Sequence, residues 1–199
     1  MKKIDRRRFL QLAGAAMLVG AAGTLTGCGG IIPGGDGSTP LTSVTMIRAN
    51  QAWQWSNYEP KDAFGNSYLQ SVNYIVLDVR KMGAGWAEES SRKGYQAFSS
   101  EYYTNGNYDE LTMKIAPDQW MGNYGTAYVQ VYADDKLVKV SDEIVRKTEP
   151  FTLTANISGA KYVKIVVDLY RGFNYVIVNG TIDVEQGAII IADAKLWKK

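Results

Sequence analysis

Apolar and polar residues alternate strictly over several short stretches of this chain. Leu111, Met113 and Ile115 alternate with Thr112 and Lys114. Phe151, Leu153, Ala155 and Ile157 alternate with Thr152, Thr154 and Asn156, and Val163, Ile165, Val167 and Leu169 share a third period of two. That period marks a strand with one buried face. Residues 127–140 read as two such runs joined near Asp134-Asp135, which predicts a hairpin. The runs at 174–180 and 188–196 are denser in apolar residues and predict more central strands. Turn signals fall between the runs, at Gly65-Asn66, Asn105-Gly106-Asn107, Ser158-Gly159 and Asn179-Gly180. No helical periodicity lasts more than a few turns, and no internal repeat stands out. Many short antiparallel strands at this spacing predict an all-β sandwich.

The first 43 residues break the pattern. Lys2, Lys3, Arg6, Arg7 and Arg8 form a basic front, and Phe9–Leu25 follows without a charge. These are the n-region and h-region of an export signal. The run is shorter than the about 20 strongly apolar residues of a spanning helix and carries Gly14, Gly20 and Gly23. Arg6 and Arg7 ahead of Phe9 and Leu10 resemble a twin-arginine signal, while Asp5 and Gln11 leave the general secretory route open. Leu25–Cys28, "LTGC", resembles the lipobox of bacterial lipoproteins. Small residues there would fit the signal peptidase, and the thiolate of Cys28 would take the lipid. Two or three acyl chains, as such cysteines carry, would anchor the protein stably where one chain is marginal. Residues 29–43 are rich in Gly, Ser and Pro and read as a tether. The expected organisation is a signal peptide over 1–27, a tether over 28–43 beginning with lipidated Cys28, and one folded domain over 44–199. The expected location is the outer face of a bacterial cell or envelope membrane.

Composition narrows the chemistry. The chain has no His and a single Cys, which removes the commonest general base, the commonest zinc ligand and any internal disulfide. The whole chain has a net charge of +2, but residues 1–27 hold five basic residues and one acidic one. Residues 28–199 carry 17 basic and 19 acidic residues, so nothing favours nucleic-acid binding. Adjacent carboxylates at Glu88-Glu89 and Asp109-Glu110 point to opposite faces if extended, which does not suit the paired carboxyls of a glycosidase. The expectation is a protein that is not an enzyme and needs no cofactor. A structural Ca²⁺ at Asp134 and Asp135 is the one metal worth considering, although adjacent acids in a turn are ordinarily turn formers. Asn156 and Asn179 match the glycosylation acceptor pattern, which in a bacterial lipoprotein reads as chance.

Five segments in a fixed order carry a family resemblance: "DAFGNSY" at 62–68, "EYYTNGNYDELTMKIAP" at 101–117, "AYVQVYADDKLV" at 127–138, "PFTLTANISGAKYVKIVVDL" at 150–169 and "AIIIADAKL" at 188–196. Together they resemble the NPCBM family of carbohydrate-binding-type modules. The resemblance implies an antiparallel jelly-roll β-sandwich of the galactose-binding-like group, with a glycan or cell-envelope polysaccharide as partner. The chain departs from the family pattern at Asp135, where glycine is common, and at residues 82–94, which have no counterpart.

A sugar site combines exposed aromatic rings with a few carboxylate or amide groups. Trp86 beside Glu88, and Trp120 and Tyr124 beside Asp118 and Asn123, fall outside the alternating runs and are the candidate ligand-binding residues. The alternative is that these rings cap the core. Trp53 and Trp55, two residues apart, read as packing, as do Tyr102, Tyr128, Tyr132, Tyr162 and Trp197 in strand patterns. The function expected is a membrane-anchored lipoprotein with a non-catalytic carbohydrate-binding domain. An envelope structural or protein-interaction domain reusing the fold is the alternative.

Overall fold

A computed structural model describes residues 36–49, 59–71, 73–78, 95–170, 176–178, 181–183 and 187–198. The strands are β1 (Thr39–Pro40), β2 (Thr45–Ala49), β3 (Tyr74–Asp78), β4 (Tyr95–Tyr103), β5 (Glu110–Pro117), β6 (Thr126–Ala133), β7 (Lys136–Val140), β8 (Ile144–Val145), β9 (Phe151–Asn156), β10 (Tyr162–Tyr170), β11 (Val176–Val178), β12 (Thr181–Asp183) and β13 (Ala188–Trp197). One 3₁₀ turn covers Leu41–Ser43. A first sheet runs β1-β13-β5-β9, with β3 also paired to β13, and a second runs β2-β4-β10-β6-β7, with β8 paired to β6. All of these pairs are antiparallel. The fold is the antiparallel jelly-roll β-sandwich expected from the sequence.

The alternating runs face each other across the sandwich. Leu111, Met113 and Ile115 of β5, with Leu153 and Ala155 of β9, pack against Val163, Ile165 and Val167 of β10 and Val129 and Val131 of β6 in one buried cluster. Removing an aliphatic side chain of this size from water stabilises the fold by about 1.5–3 kcal/mol. Tyr102 is fully buried here, the structural role expected of it.

β13 has both faces buried over its first half. Ile189 and Ile191 point into the main core, whereas Ile190 and Ala192 join Tyr68, Tyr74 and Ala116 in a second cluster. The segment bearing Tyr68 therefore covers part of the outer side of the first sheet, which explains the dense apolar run. A bulge between Ala192 and Lys195 restores simple alternation. Asp193 sits there with φ 50°, and the buried side chain of Asn73 braces it: Oδ1 accepts the Ala194 N–H at 3.1 Å, and Nδ2 donates to the Ala194 carbonyl at 3.4 Å.

Two expectations change. The folded body begins before residue 44: β1 pairs with the end of β13, Leu41 is fully buried in the core, and Lys195 bonds Asp36 at 2.6 Å. Glycine and proline content hid a short edge strand, a position where proline is tolerated. The described part of the dense run at 174–180, Val176–Val178, does not enter either main sheet. Its β11 pairs with β12 as a separate two-stranded ribbon. A strand followed by Asn-Gly and a second extended run pairs locally, and apolar density alone does not distinguish that from a core strand.

The predicted hairpin forms at Asp134-Asp135, both in the left-handed region with φ 46° and 65°. The Asp134 carboxylate accepts the backbone N–H groups of Lys161 and Tyr162 at 3.0 and 2.9 Å, and Asp135 pairs with Lys164 at 3.3 Å. Both carboxylates are engaged in fastening the turn to β10. Among the described residues no group of three or more potential ligands gathers as a metal ion requires.

Candidate functional site

One end of the sandwich carries the loop that bears Trp120, Asn123 and Tyr124. β5 ends at Pro117 and β6 begins at Thr126, so residues 118–125 cross that end. Asp78, the last residue of β3, pairs with Ala188, and Asp118 N–H bonds the Ala188 carbonyl at 3.0 Å. Tyr95, the first residue of β4, pairs with Tyr170, which pairs with Thr126. The strands flanking residues 79–94 therefore stop at the same end. Trp86 and Glu88 lie outside the described residues, as do Trp53, Trp55, Cys28, Arg6, Arg7, Phe9 and Leu10.

Trp120 stands on a loop fixed at nearly every backbone group around it. The buried Asp118 carboxylate accepts the Trp120 N–H at 2.9 Å, and its carbonyl accepts the Met121 N–H at 2.8 Å. The Arg146 guanidinium donates to the carbonyl of Gln119 at 2.9 Å and to that of Met121. Met121 itself is fully buried and pins the loop to the core. Between these anchors Trp120 is 53 % exposed and Tyr124 58 % exposed, with Asn123 exposed beside them. Neither ring caps the core. An aromatic side chain has few rotatable bonds, so a ring on a braced loop binds with little entropy lost.

A second segment extends this surface. Gln119 N–H bonds the Lys61 carbonyl at 2.9 Å and Ala63 N–H bonds the Pro117 carbonyl at 3.0 Å, so residues 61–63 run alongside 117–119. Asp62, 1 % exposed, organises the adjoining turn. Its carboxylate accepts the N–H groups of Phe64 and Asn66, each at 2.9 Å, the Asn66 side-chain amide at 2.9 Å and the Tyr68 hydroxyl at 2.9 Å. The turn leaves the Phe64 ring 45 % exposed. Phe64 and Asp62 were missed as functional candidates. Their signal was present in "DAFGNSY", where an acid followed by turn residues brackets an aromatic residue. Burial raises the Tyr68 phenol above the ordinary tyrosine value, and the hydrogen bond to Asp62 adds to that.

The other strand tyrosines divide. Tyr128 and Tyr132 are half-buried and Tyr162 is exposed on the outward face of the second sheet, while Trp197 is half-buried and donates to the Thr112 hydroxyl at 2.8 Å. An open groove of about 620 Å³ lies not at the Trp120 end but at the opposite one, beside the Asp134 hairpin. The exposed rings, rather than that groove, single out the Trp120 end.

Residues 91–175 match the model of the NPCBM/NEW2 domain, bearing out over that part the resemblance read from the sequence. No curated protein matches the chain. Among solved structures, the CBM51 module from Clostridium perfringens GH95 in complex with methyl-galactose is 16 % identical, with a TM-score of 0.51 over 80 % of this chain and 99 % of that one. The tandem CBM51 modules of the family 98 glycoside hydrolase from Streptococcus pneumoniae SP3-BS71 are 14 % identical, with a TM-score of 0.53 over 88 % of this chain and 52 % of that one. CBM51-2 with INT domains from Clostridium perfringens ZmpB, in complex with GlcNAc, is 13 % identical, with a TM-score of 0.51 over 81 % of this chain and 31 % of that one. The chain spans 15 % of the length of the ZmpB chain that joins the M60 catalytic domain to two such modules. At these identities the likeness is one of fold.

Proposed function

We propose that this protein is a membrane-anchored lipoprotein whose β-sandwich binds carbohydrate, without catalysis, at the end that presents Trp120, Tyr124 and Phe64. The observation that carries the reading is Trp120: a large ring held out into solvent by Asp118, Arg146 and Met121. A ring that is costly to leave exposed, and rigidly placed, suits the apolar C–H face of a pyranose. The buried carboxylates of Asp62 and Asp118 shape the loops and leave the rings to meet ligand. The NPCBM/NEW2 match and the sugar-complexed CBM51 modules of the same fold support a glycan as the ligand class. The anchor is supported by the basic front, the uncharged run and the lone Cys28 after Leu25-Thr26-Gly27.

The test is a calorimetric titration of the purified protein with galactose and with N-acetylglucosamine. Saturable binding to either, weakened by about 1–3 kcal/mol in Trp120→Ala with the melting temperature unchanged, is the expected result. No binding of either sugar, or a large loss of stability in that variant, would overturn the site.

A further inference from the structure

The outward face of the second sheet carries a separate array of rings and hydrogen-bonding groups. Core-facing positions of β4, β10 and β6 alternate there with Tyr103, Tyr162, Lys164, Asp168, Gln130 and Tyr132. Tyr103 and Tyr162 are cross-strand partners with ring centroids 5.4 Å apart, and they are 39 % and 42 % exposed. The Tyr103 hydroxyl donates to Asn105 Oδ1 at 2.7 Å. One strand further on, the Lys164 ammonium lies 4.9 Å from the centroid of the Tyr132 ring. Tyr132 donates to Gln130 Oε1 at 2.6 Å, and Gln130 Nε2 donates to Asp168 Oδ2 at 2.7 Å. This chain of hydrogen bonds fixes which way the Gln130 amide points.

Lys164 and Arg48 are paired locally, and Asp168 adds a carboxylate held by the Gln130 amide. Lys164 pairs with Asp135 at 3.3 Å and Arg48 with Glu101 at 3.2 Å. A phosphate-rich partner needs uncompensated cations, which these pairs remove. A protein partner needs a contiguous apolar centre; here the exposed apolar side chains of Leu137 and Val140 lie to one side on β7, opposite Tyr132 and Gln130, and each ring is bordered by an amide, a carboxylate or an ammonium. Rings interleaved with oriented polar groups and little net charge complement a ligand that is itself neutral, with apolar faces and hydroxyl edges. The array crosses three strands, about 10 Å, and runs along β10 from Tyr162 to Asp168, about 20 Å at the usual strand rise. That exceeds a single sugar ring.

We propose that this sheet face binds an extended, neutral glycan chain, as a second surface distinct from the Trp120 end. It extends the carbohydrate-binding reading but rests on different residues, so either site can fail alone. The test is affinity electrophoresis of the full chain through gels containing galactan, galactomannan, xyloglucan or mixed-linkage β-glucan. The parent is expected to be retarded in at least one gel. Tyr103→Ala/Tyr162→Ala and Gln130→Ala are expected to lose at least fivefold in affinity there while keeping monosaccharide binding, and Trp120→Ala is expected to remain retarded. Should the double variant fold poorly, the single Tyr162→Ser variant decides on the same criterion. The proposal is overturned if the parent passes all four gels unretarded, if the face variants behave like the parent, or if retardation is lost with Trp120 alone. Those outcomes leave a monosaccharide site at Trp120 standing. Loss of monosaccharide binding alone would remove that site and leave this one.

Discussion

The phenol of Tyr68 donates a 2.9 Å hydrogen bond to Oδ2 of Asp62, with 5 % and 1 % of the two residues exposed. That contact joins two jobs. Tyr68 covers Ile190 and Ala192 on the outer side of the first sheet, and Asp62 shapes the turn that exposes Phe64.

The Tyr68 contact makes stability depend on alkaline pH. The folded state raises the pKa of this phenol, so its contribution is complete below about pH 10, the unfolded value, and is lost as pH rises beyond it. Tyr68→Phe is expected to lower stability at pH 7 by about 1–2 kcal/mol. It should also flatten the fall in melting temperature above pH 10. Tyr74, raised chiefly by burial, contributes with the same sign, so the slope shrinks without vanishing. Thermal melts between pH 8 and pH 11 on the two proteins check this.

Arg146 is expected to act as a strut for the Trp120 loop. Arg146→Ala removes donors from the carbonyls of Gln119 and Met121 and should destabilise by about 1–3 kcal/mol. Amide hydrogen exchange at 119–125 should accelerate more than exchange in β10. Equal acceleration everywhere would mean that the residue supports the whole fold and not the loop.

Gly106 is expected to be hard to replace. Its φ is +72°, and a Cβ there would sit 3.2 Å from the carbonyl oxygen of Gly159. Gly65 shares the conformation, φ +86°, with nothing within 4 Å of a Cβ. Both alanine variants should lose about 1–2 kcal/mol for the left-handed backbone, and Gly106→Ala should lose more for the close approach. Denaturant midpoints that coincide would show that the loop simply gives way.

Ser100 offers a stabilising change. It is 1 % exposed on the core side of β4, and its hydroxyl has no hydrogen-bond partner among the described residues. Ser100→Ala is expected to raise stability by about 1 kcal/mol, because a buried unsatisfied hydroxyl costs more than the space it fills gains. An unchanged or lower unfolding midpoint would point to a partner for that oxygen.

The proposed anchor is tested at its only thiol. Cys28→Ala should abolish labelling by radioactive palmitate and leave either the uncleaved precursor or soluble protein in cell fractions. A variant that is cleaved and remains in the membrane fraction would sink the lipoprotein reading.

The sandwich was legible wherever one face of a strand meets water. Strict alternation at 111–115, 151–157 and 163–169 identified β5, β9 and β10 and their core faces, because a period of two follows directly from the pleat. The Asp134-Asp135 turn was legible too, since only a few residue types tolerate two consecutive left-handed conformations. What lay hidden depends on distant partners. Nothing near "DAFGNSY" says that Tyr68 will lie over Ile190, and no spacing links Arg146 to carbonyls 25 and 27 residues earlier. The loop position of Trp120 followed from its lack of alternation. Its bracing by Asp118 and Arg146 did not.

β13 has a consequence for how the molecule is made. It pairs with β1, β3 and β5, so three segments that precede it by up to about 150 residues of chain find their shared neighbour only in residues 188–197. A ribosome must synthesise that stretch before the first sheet can be completed, since only β5 and β9 pair without it. Until then Ile75 and Leu77 lack the strand that β3 pairs with. Such long-range pairing folds slowly and keeps apolar strand exposed meanwhile. Completion of this sandwich therefore waits for residues 188–197 to leave the ribosome, and until they do the β3 and β5 edges that β13 will cover stay unpaired.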